Sequence, residues 1–179
     1  IDPTVESAFE EAIKTLEGDG VSVTRIDPPS DERMAQVWYT IASAELAQSL
    51  EHVRDQWESF EPHISAQLFA GEAVTASQYI AGTRARHDLA GRFDDLLGDD
   101  AVLLTPMCNV QSWPAEGPLP REVNGKENAL VALNTLELNL TGHPALSVPI
   151  GHDDHGLPTG TQVAAPRRAA RPALALAPP

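Results

Sequence analysis

The sequence predicts an α/β fold, on three observations. It opens with a helix, a tight turn and an alternating run, which together make half of a βαβ unit. A short apolar run, Ala101-Val-Leu-Leu-Thr105, is cut off by Pro106 and suits a strand of a sheet covered on both faces. Further on, Leu146, Val148 and Ile150 alternate with polar or small residues, as do Thr159, Thr161 and Val163, and Gly151 to Pro158 connects these two runs as a hairpin. With 179 residues, 42% of them hydrophobic and 21% charged, the chain can bury the core of one domain or a piece of one.

In the opening helix Asp2 is placed as N-cap and Pro3 as first helical residue, and Val5, Ala8, Phe9, Ala12, Ile13 and Leu16 follow at helical spacing. Gly18-Asp19-Gly20 stops it. Val21, Val23 and Arg25 then alternate with Ser22, Thr24 and Ile26 as a short strand would. The first strand of this βαβ unit is expected before Ile1, where the chain starts without an initiator Met.

Pro28-Pro29-Ser30 is a breaker, and Ser30 or Asp31 can cap a helix through Met34, Val37, Trp38, Ile41 and Ala44 towards Leu50. Glu45 in that helix reads as a solvated or capped acid. Trp57 to Ala70 reads as a loop with a short helix, interrupted by Pro62 and closed by Gly71. Thr75-Ala-Ser-Gln78 has the pattern of a capping box, opening an amphipathic helix through Tyr79, Arg86, Leu89, Phe93 and Leu97 that ends at Gly98. Cys108 to Asn128 is rich in Pro and Gly and predicts an irregular loop over the surface or a pocket, with a helix over Ala129 to Leu138 after it. Pro149 lacks a ladder donor and predicts an edge position or a strand end. The Ala/Arg/Pro tail 167–179 has little to bury and is expected to fray, leaving 1–166 as the folded part.

Against 26 acidic residues stand 12 basic ones, a formal net charge of −14 that disfavours nucleic acid and anionic membrane as partners. Lys14 and Lys126 are the only lysines, a bias towards arginine that fits GC-rich coding or adaptation to high salt. A lone Cys108 excludes an intramolecular disulfide and a multi-cysteine metal site, and makes a reducing cytoplasm the simplest compartment. No apolar run reaches the roughly 20 residues needed to span a bilayer.

Three pieces in order carry a more specific signal. They are Asp100-Ala-Val-Leu-Leu-Thr-Pro106, Asn139-Leu-Thr-Gly-His-Pro-Ala-Leu-Ser-Val-Pro-Ile-Gly151 and Gly156-Leu-Pro-Thr-Gly-Thr-Gln162. Together with the opening unit and the Tyr79 helix, they resemble the C-terminal half of the amidase signature family, up to Pro166. The resemblance implies a mixed β-sheet flanked by helices, of which this chain is the later half of a single domain. It implies hydrolysis of a carboxylic amide through a serine nucleophile, a second serine in a cis peptide and a neutral lysine as base, with backbone donors holding the oxyanion. It implies a small-molecule amide substrate and no cofactor, and is compatible with a homodimer. The family's Gly/Ser-rich catalytic segment and its upstream lysine do not occur here, so no catalytic residue is carried over and the chain alone is expected not to turn over substrate. After Gln162 the family has a charged residue and a Leu-rich helix, where this chain has Arg171-Pro172 and Pro178-Pro179.

Residue by residue, the motif reads as framework. Asn139 and Gly142 shape a turn, Pro144 fixes the entry into a strand, and Gly151, Gly156, Gly160 and Gln162 belong to the hairpin beside Pro149. Thr105, Pro106, Met107 and Cys108 are the substrate-pocket candidates, because they leave a buried strand end where α/β sheets place their crevice. Ser147 lacks the glycines of a nucleophile elbow and reads as a packed strand serine. His152-Asp153-Asp154-His155 cannot converge on one ion and reads as a solvated loop, so no metal is expected. His143 reads as a hydrogen-bonded structural histidine, and Trp38, Trp57 and Trp113 as core or loop anchors. Two rival readings remain, a non-catalytic or degenerate module of this family, and an amidotransferase-like protein acting in a transfer-RNA amidation complex.

Overall fold

The computed structural model describes residues 1–27, 29–31, 33–118, 120, 122–123, 125–127 and 133–167. They fall into two compact units, Ser30–Gly91 and a second made of Ile1–Pro29 with Arg92–Pro179. Most of the expected tail, 168–179 with Arg171-Pro172 and Pro178-Pro179, lies outside the described residues, as do Pro28, Asn128 and the start of the helix expected from Ala129.

The second unit opens with α1 (Pro3–Gly18), started as its sequence requires: Asp2 Oδ1 accepts from Thr4 N at 2.8 Å and Pro3 stands at the first position. Val5 and Ile13 are its buried residues. Its sheet has the order β1-β5-β4, from β1 (Leu103–Pro106), β4 (Ala145–His152) and β5 (Pro158–Ala164), antiparallel throughout. Val148, Val163 and Ala165 form the core of one face, with Val102, Leu104 and Leu146 packed against them. Pro149 sits on edge strand β4, as its missing donor demands, but does not end it: the strand bulges between Pro149 and Gly151 and runs on to His152. The strand expected at Ala101–Thr105 is half-buried and lies on the other edge, so the expectation of a strand covered on both faces is corrected. The run Val21–Ile26 forms no strand, since among the described residues it has no ladder partner.

The Cys108–Asn128 stretch is not wholly irregular, because β2 (Glu122–Val123) pairs with β3 (Lys126–Glu127), which holds Lys126. Helix α5 (Leu133–Thr141) extends through Asn139, which is therefore in the helix and not in a turn. Gly142, at φ 73°, is the stop: its N–H reaches Leu138 O at 2.9 Å in a conformation that disfavours a side chain.

In unit Ser30–Gly91, α2 (Arg33–Ser49) is capped by Asp31, whose Oδ1 accepts from Arg33 N at 2.9 Å. A 3-10 segment, Glu51–Ser59, leads to α3 (Pro62–Glu72). The expected short helix is present as α3, but Pro62 starts it instead of interrupting the stretch, since its missing N–H costs nothing there, and Gly71 lies within the helix instead of closing it. A Cβ on Gly71 would stand 1.9 Å from Ser43 O, so the close approach of α2 and α3 requires glycine there. Trp57, 2% exposed, packs with Ala47 and Leu68 and donates through Nε1 to Leu50 O at 3.0 Å. The capping box forms as the sequence indicates: Thr75 Oγ1 accepts from Gln78 N, and Gln78 Oε1 from Thr75 N, opening α4 (Ala76–Leu97). Glu45 accepts from Tyr79 Oη at 2.8 Å, so it is partnered rather than merely solvated.

Candidate functional site

Where β1 ends, Met107 N donates to Gly160 O at 2.9 Å and the chain turns into a loop that walls a cavity of about 200 Å³. Met107, Cys108, Val110 and Trp113 line one side, Ser147 and Gly160 the other. Of the four residues expected here, Met107 and Cys108 reach the cavity; Thr105 and Pro106 do not line it and support the loop from below. Gly160 keeps the floor low, since a Cβ there would come within 3.3 Å of Ser147 Oγ. Ser147 is exposed at this floor instead of packed, opposite Gln162 in the ladder.

Support comes from a chain of buried amides. The Gln162 side chain, 5% exposed, donates to Asn134 O at 2.8 Å and to Thr105 Oγ1 at 3.2 Å. Asn134 in turn donates to Pro106 O at 2.7 Å and Asn109 Oδ1 at 3.1 Å, while Thr161 Oγ1 donates to Thr105 O at 2.9 Å. The far end of the loop is held by Gln111, whose Nε2 donates to Asp2 Oδ1 at 3.1 Å and Asp154 Oδ2 at 3.0 Å, and whose Oε1 accepts from Asp154 N at 3.0 Å. Asp2 N also donates to Asn109 O at 2.8 Å. Sequence reading missed Asn134 and Gln111. A lone amide has no spacing signature; its partners are fixed only by the fold.

The His152–His155 loop departs from the solvated reading. Asp153 is 7% exposed and accepts from Ser112 N, His155 N and Leu157 N at 2.9 to 3.1 Å. The Ser112 hydroxyl, then these backbone donors, hold its carboxyl well below the usual carboxylate range against the cost of burial. Gly156 closes this turn at φ 76°, with its N–H on Asp153 O.

His143 is buried, with Nδ1 2.9 Å from Thr141 Oγ1, its ring tilted on Phe93. Its Nε2 lies 3.2 Å from Asp94 Oδ1 but outside hydrogen-bond geometry. Burial pushes its pKa down and Asp94 opposes this; Asp94 is itself paired with Arg167, the last described residue of the tail. Pro144 follows, with its carbonyl accepting from Ala165 N at 3.0 Å. Burial pushes the Cys108 thiol up, which lowers its thiolate fraction and suits a wall better than a nucleophile. Trp113, 36% exposed, is an anchor only at the cavity rim, whereas Trp57 is core and Trp38 half-buried.

A loop fastened at both ends thus walls a small cavity where β1 ends, in an α/β frame. A sequence model described as Amidase matches residues 1–171, and the chain belongs to the amidase family. It is 27% identical over 188 residues to a Glutamyl-tRNA(Gln) amidotransferase subunit of Lachnospira eligens, covering 91% of this chain and 38% of that protein. It is 29% identical over 177 residues to 2-amino-5-chloromuconic acid deaminase of Comamonas testosteroni, covering 94% and 37%. A solved structure described as that of an amidase superposes with a TM-score of 0.87 at 25% identity, covering 98% of this chain and 41% of the other. The chain therefore spans about two fifths of the length of the relatives it matches.

Proposed function

We propose that this chain is the later part of an enzyme that hydrolyses carboxylic amide C–N bonds, and that it contributes the frame and one wall of the substrate site. What carries this reading is the cavity at the end of β1, walled by Met107, Cys108 and Trp113 on a fastened loop, in a chain of the amidase family. The lining sets Met107, Cys108, Val110, Trp113 and Pro158 beside polar Gln111, Ser112, Ser147 and Thr159, a mixture that fits an amide group with an apolar substituent. The Ser-Ser-Lys set that family resemblance implies is absent from the 179 residues, so the nucleophile and base come from elsewhere in the complete enzyme. A cytoplasmic location, from the lone Cys108, and a homodimer belong to the same reading.

The test has two arms. A fluorophosphonate serine probe should leave this chain unlabelled, and stoichiometric labelling at Ser147 or any other serine would defeat the claim that it lacks the nucleophile. In a polypeptide extended upstream by a Gly/Ser-rich segment and its lysine, Cys108→Trp should fill the cavity and raise KM for small aliphatic amides by about tenfold or more, equivalent to about 1.4 kcal/mol of binding.

The relative named as an amidotransferase component favours a second reading, that the chain comes from a protein of that kind. Copurification of a stoichiometric second polypeptide with the extended protein would decide for it.

A further inference from the structure

His143 is a fully buried titratable ring in contact with an ion pair at the surface. Its side chain has no exposure, whereas those of Asp94 and Arg167 beside it keep 40% and 45%. Among the described residues the charged groups that act on the ring are Asp94, from α4, and Arg167, from the segment after β5. From α5 it meets the Thr141 hydroxyl, and from α4 also the Phe93 ring. The segment that carries Arg167 is tied to α4 through Asp94, three residues beyond the end of β5.

Nε2 of His143 is the unused group. It lies 3.2 Å from Asp94 Oδ1, out of line for a hydrogen bond, and has no other partner among the described residues. With Nδ1 on Thr141 Oγ1, one neutral tautomer turns a lone pair towards the carboxylate and the other points its N–H past it. Either way the neutral ring leaves Asp94 to Arg167, whose Nε donates to Oδ1 at 3.0 Å and whose terminal nitrogen donates to Oδ2.

A proton changes that division. The imidazolium carries N–H groups on both nitrogens, so Nδ1 serves Thr141 while Nε2 calls for an acceptor, and Asp94 Oδ1 is the one within reach. That is the oxygen Arg167 Nε already uses. Two cations then compete for one carboxylate. The half-exposed guanidinium can take water as it withdraws, whereas the buried imidazolium cannot, so it is Arg167 that yields. Burial, opposed by Asp94 and joined by Arg167, holds the His143 pKa below its ordinary 6.5, which puts the change on the acid side of that value.

We propose that His143, Asp94 and Arg167 form a proton-operated clasp: at neutral pH Arg167 holds the segment after β5 to α4, and a proton on His143 takes Asp94 from it and releases that segment. The clasp concerns how the chain is fastened after β5 and stands apart from the hydrolytic reading.

Nuclear magnetic resonance of the 179-residue chain, between about pH 7.5 and about pH 5, follows both partners at once. Ring carbons report the proton on His143, and the Nε–H of Arg167 reports its carboxylate. That Nε–H should lose about tenfold or more of its protection with the midpoint of His143. The Nε–H of Arg54, paired with Glu72, should show no step there. His143→Gln should abolish the step at Arg167. Arg167→Gln, at an exposed side chain, tests the coupling from the other end: linkage is reciprocal, so His143 should then bind its proton about threefold more tightly. If His143→Gln does not fold, the Arg167→Gln result decides alone. An Arg167 signal that stays protected while His143 titrates overturns the proposal, as does a ring that stays neutral throughout the range. So does a step that survives in His143→Gln, or a His143 midpoint that Arg167→Gln leaves in place or lowers. Loss of the β4–β5 ladder before Arg167 is released also overturns it, because acid then unfolds the unit instead of opening the clasp.

Discussion

Gln162 carries several contacts on one carboxamide, since it is buried and serves both Asn134 O and Thr105 Oγ1. Gln162→Leu removes the donor and both of its hydrogen bonds, a loss of about 1–3 kcal/mol. A lower urea midpoint, together with faster hydrogen exchange at Thr105–Asn109, is the expected result. Glu137 on α5 gives a pH effect of opposite sign to the usual carboxylate. Burial raises its pKa to about 7, against the pull of Arg92. Below the ordinary value of 4.5 it is protonated folded or unfolded and contributes nothing; between 4.5 and about 7 the unfolded chain ionises first, so stability falls as pH rises. Glu137→Gln should therefore raise the melting temperature at pH 8 and leave it nearly unchanged at pH 4, as thermal scans at the two values will show.

Among the elements, the α2–α3 pair has the sharpest requirement. Gly71→Ala would set a Cβ 1.9 Å from the Ser43 carbonyl, a backbone atom that no rotamer change can move. The helices must separate, and overpacking of this kind costs about 1–3 kcal/mol or more. Circular dichroism against denaturant should show the loss, while the same substitution at Gly91, with open space at its Cβ, should be neutral or stabilising. Elements whose signals are local were legible in the sequence. Helix α1 follows from Asp2, Pro3 and its apolar spacing, α4 from its capping box, and the β4–β5 hairpin from its alternation and glycines. Those whose meaning depends on a partner were not. Pro62 reads as a breaker until it is seen at a helix start, Val21–Ile26 reads as a strand although no described segment pairs with it, and Asn139 reads as a turn until Gly142 is seen to end the helix. The site was half legible for the same reason. Met107 and Cys108 follow from a strand that ends at Pro106, but Asn134 matters only through Pro106 and Asn109, 28 and 25 positions away.

For the whole molecule, charge dominates. A formal net charge of −14 repels itself in the compact state, and salt shortens the reach of that repulsion to about 8–10 Å at physiological ionic strength. The melting temperature should rise by a few degrees between about 0.05 M and 0.5 M sodium chloride, a change of roughly 1 kcal/mol for a chain of this size. A flat or falling response would remove salt adaptation as the reason for the acidic surface. Among the described residues no helix is long and apolar enough to cross a membrane.

The loop from Met107 to Trp113 divides its labour along the sequence. Asn109, Gln111 and Ser112 make the bonds that fasten it, the last two while also lining the cavity, whereas Met107, Cys108, Val110 and Trp113 line the cavity and give no side chain to those bonds. Substitutions at those four positions should therefore reshape the cavity with little penalty in foldedness.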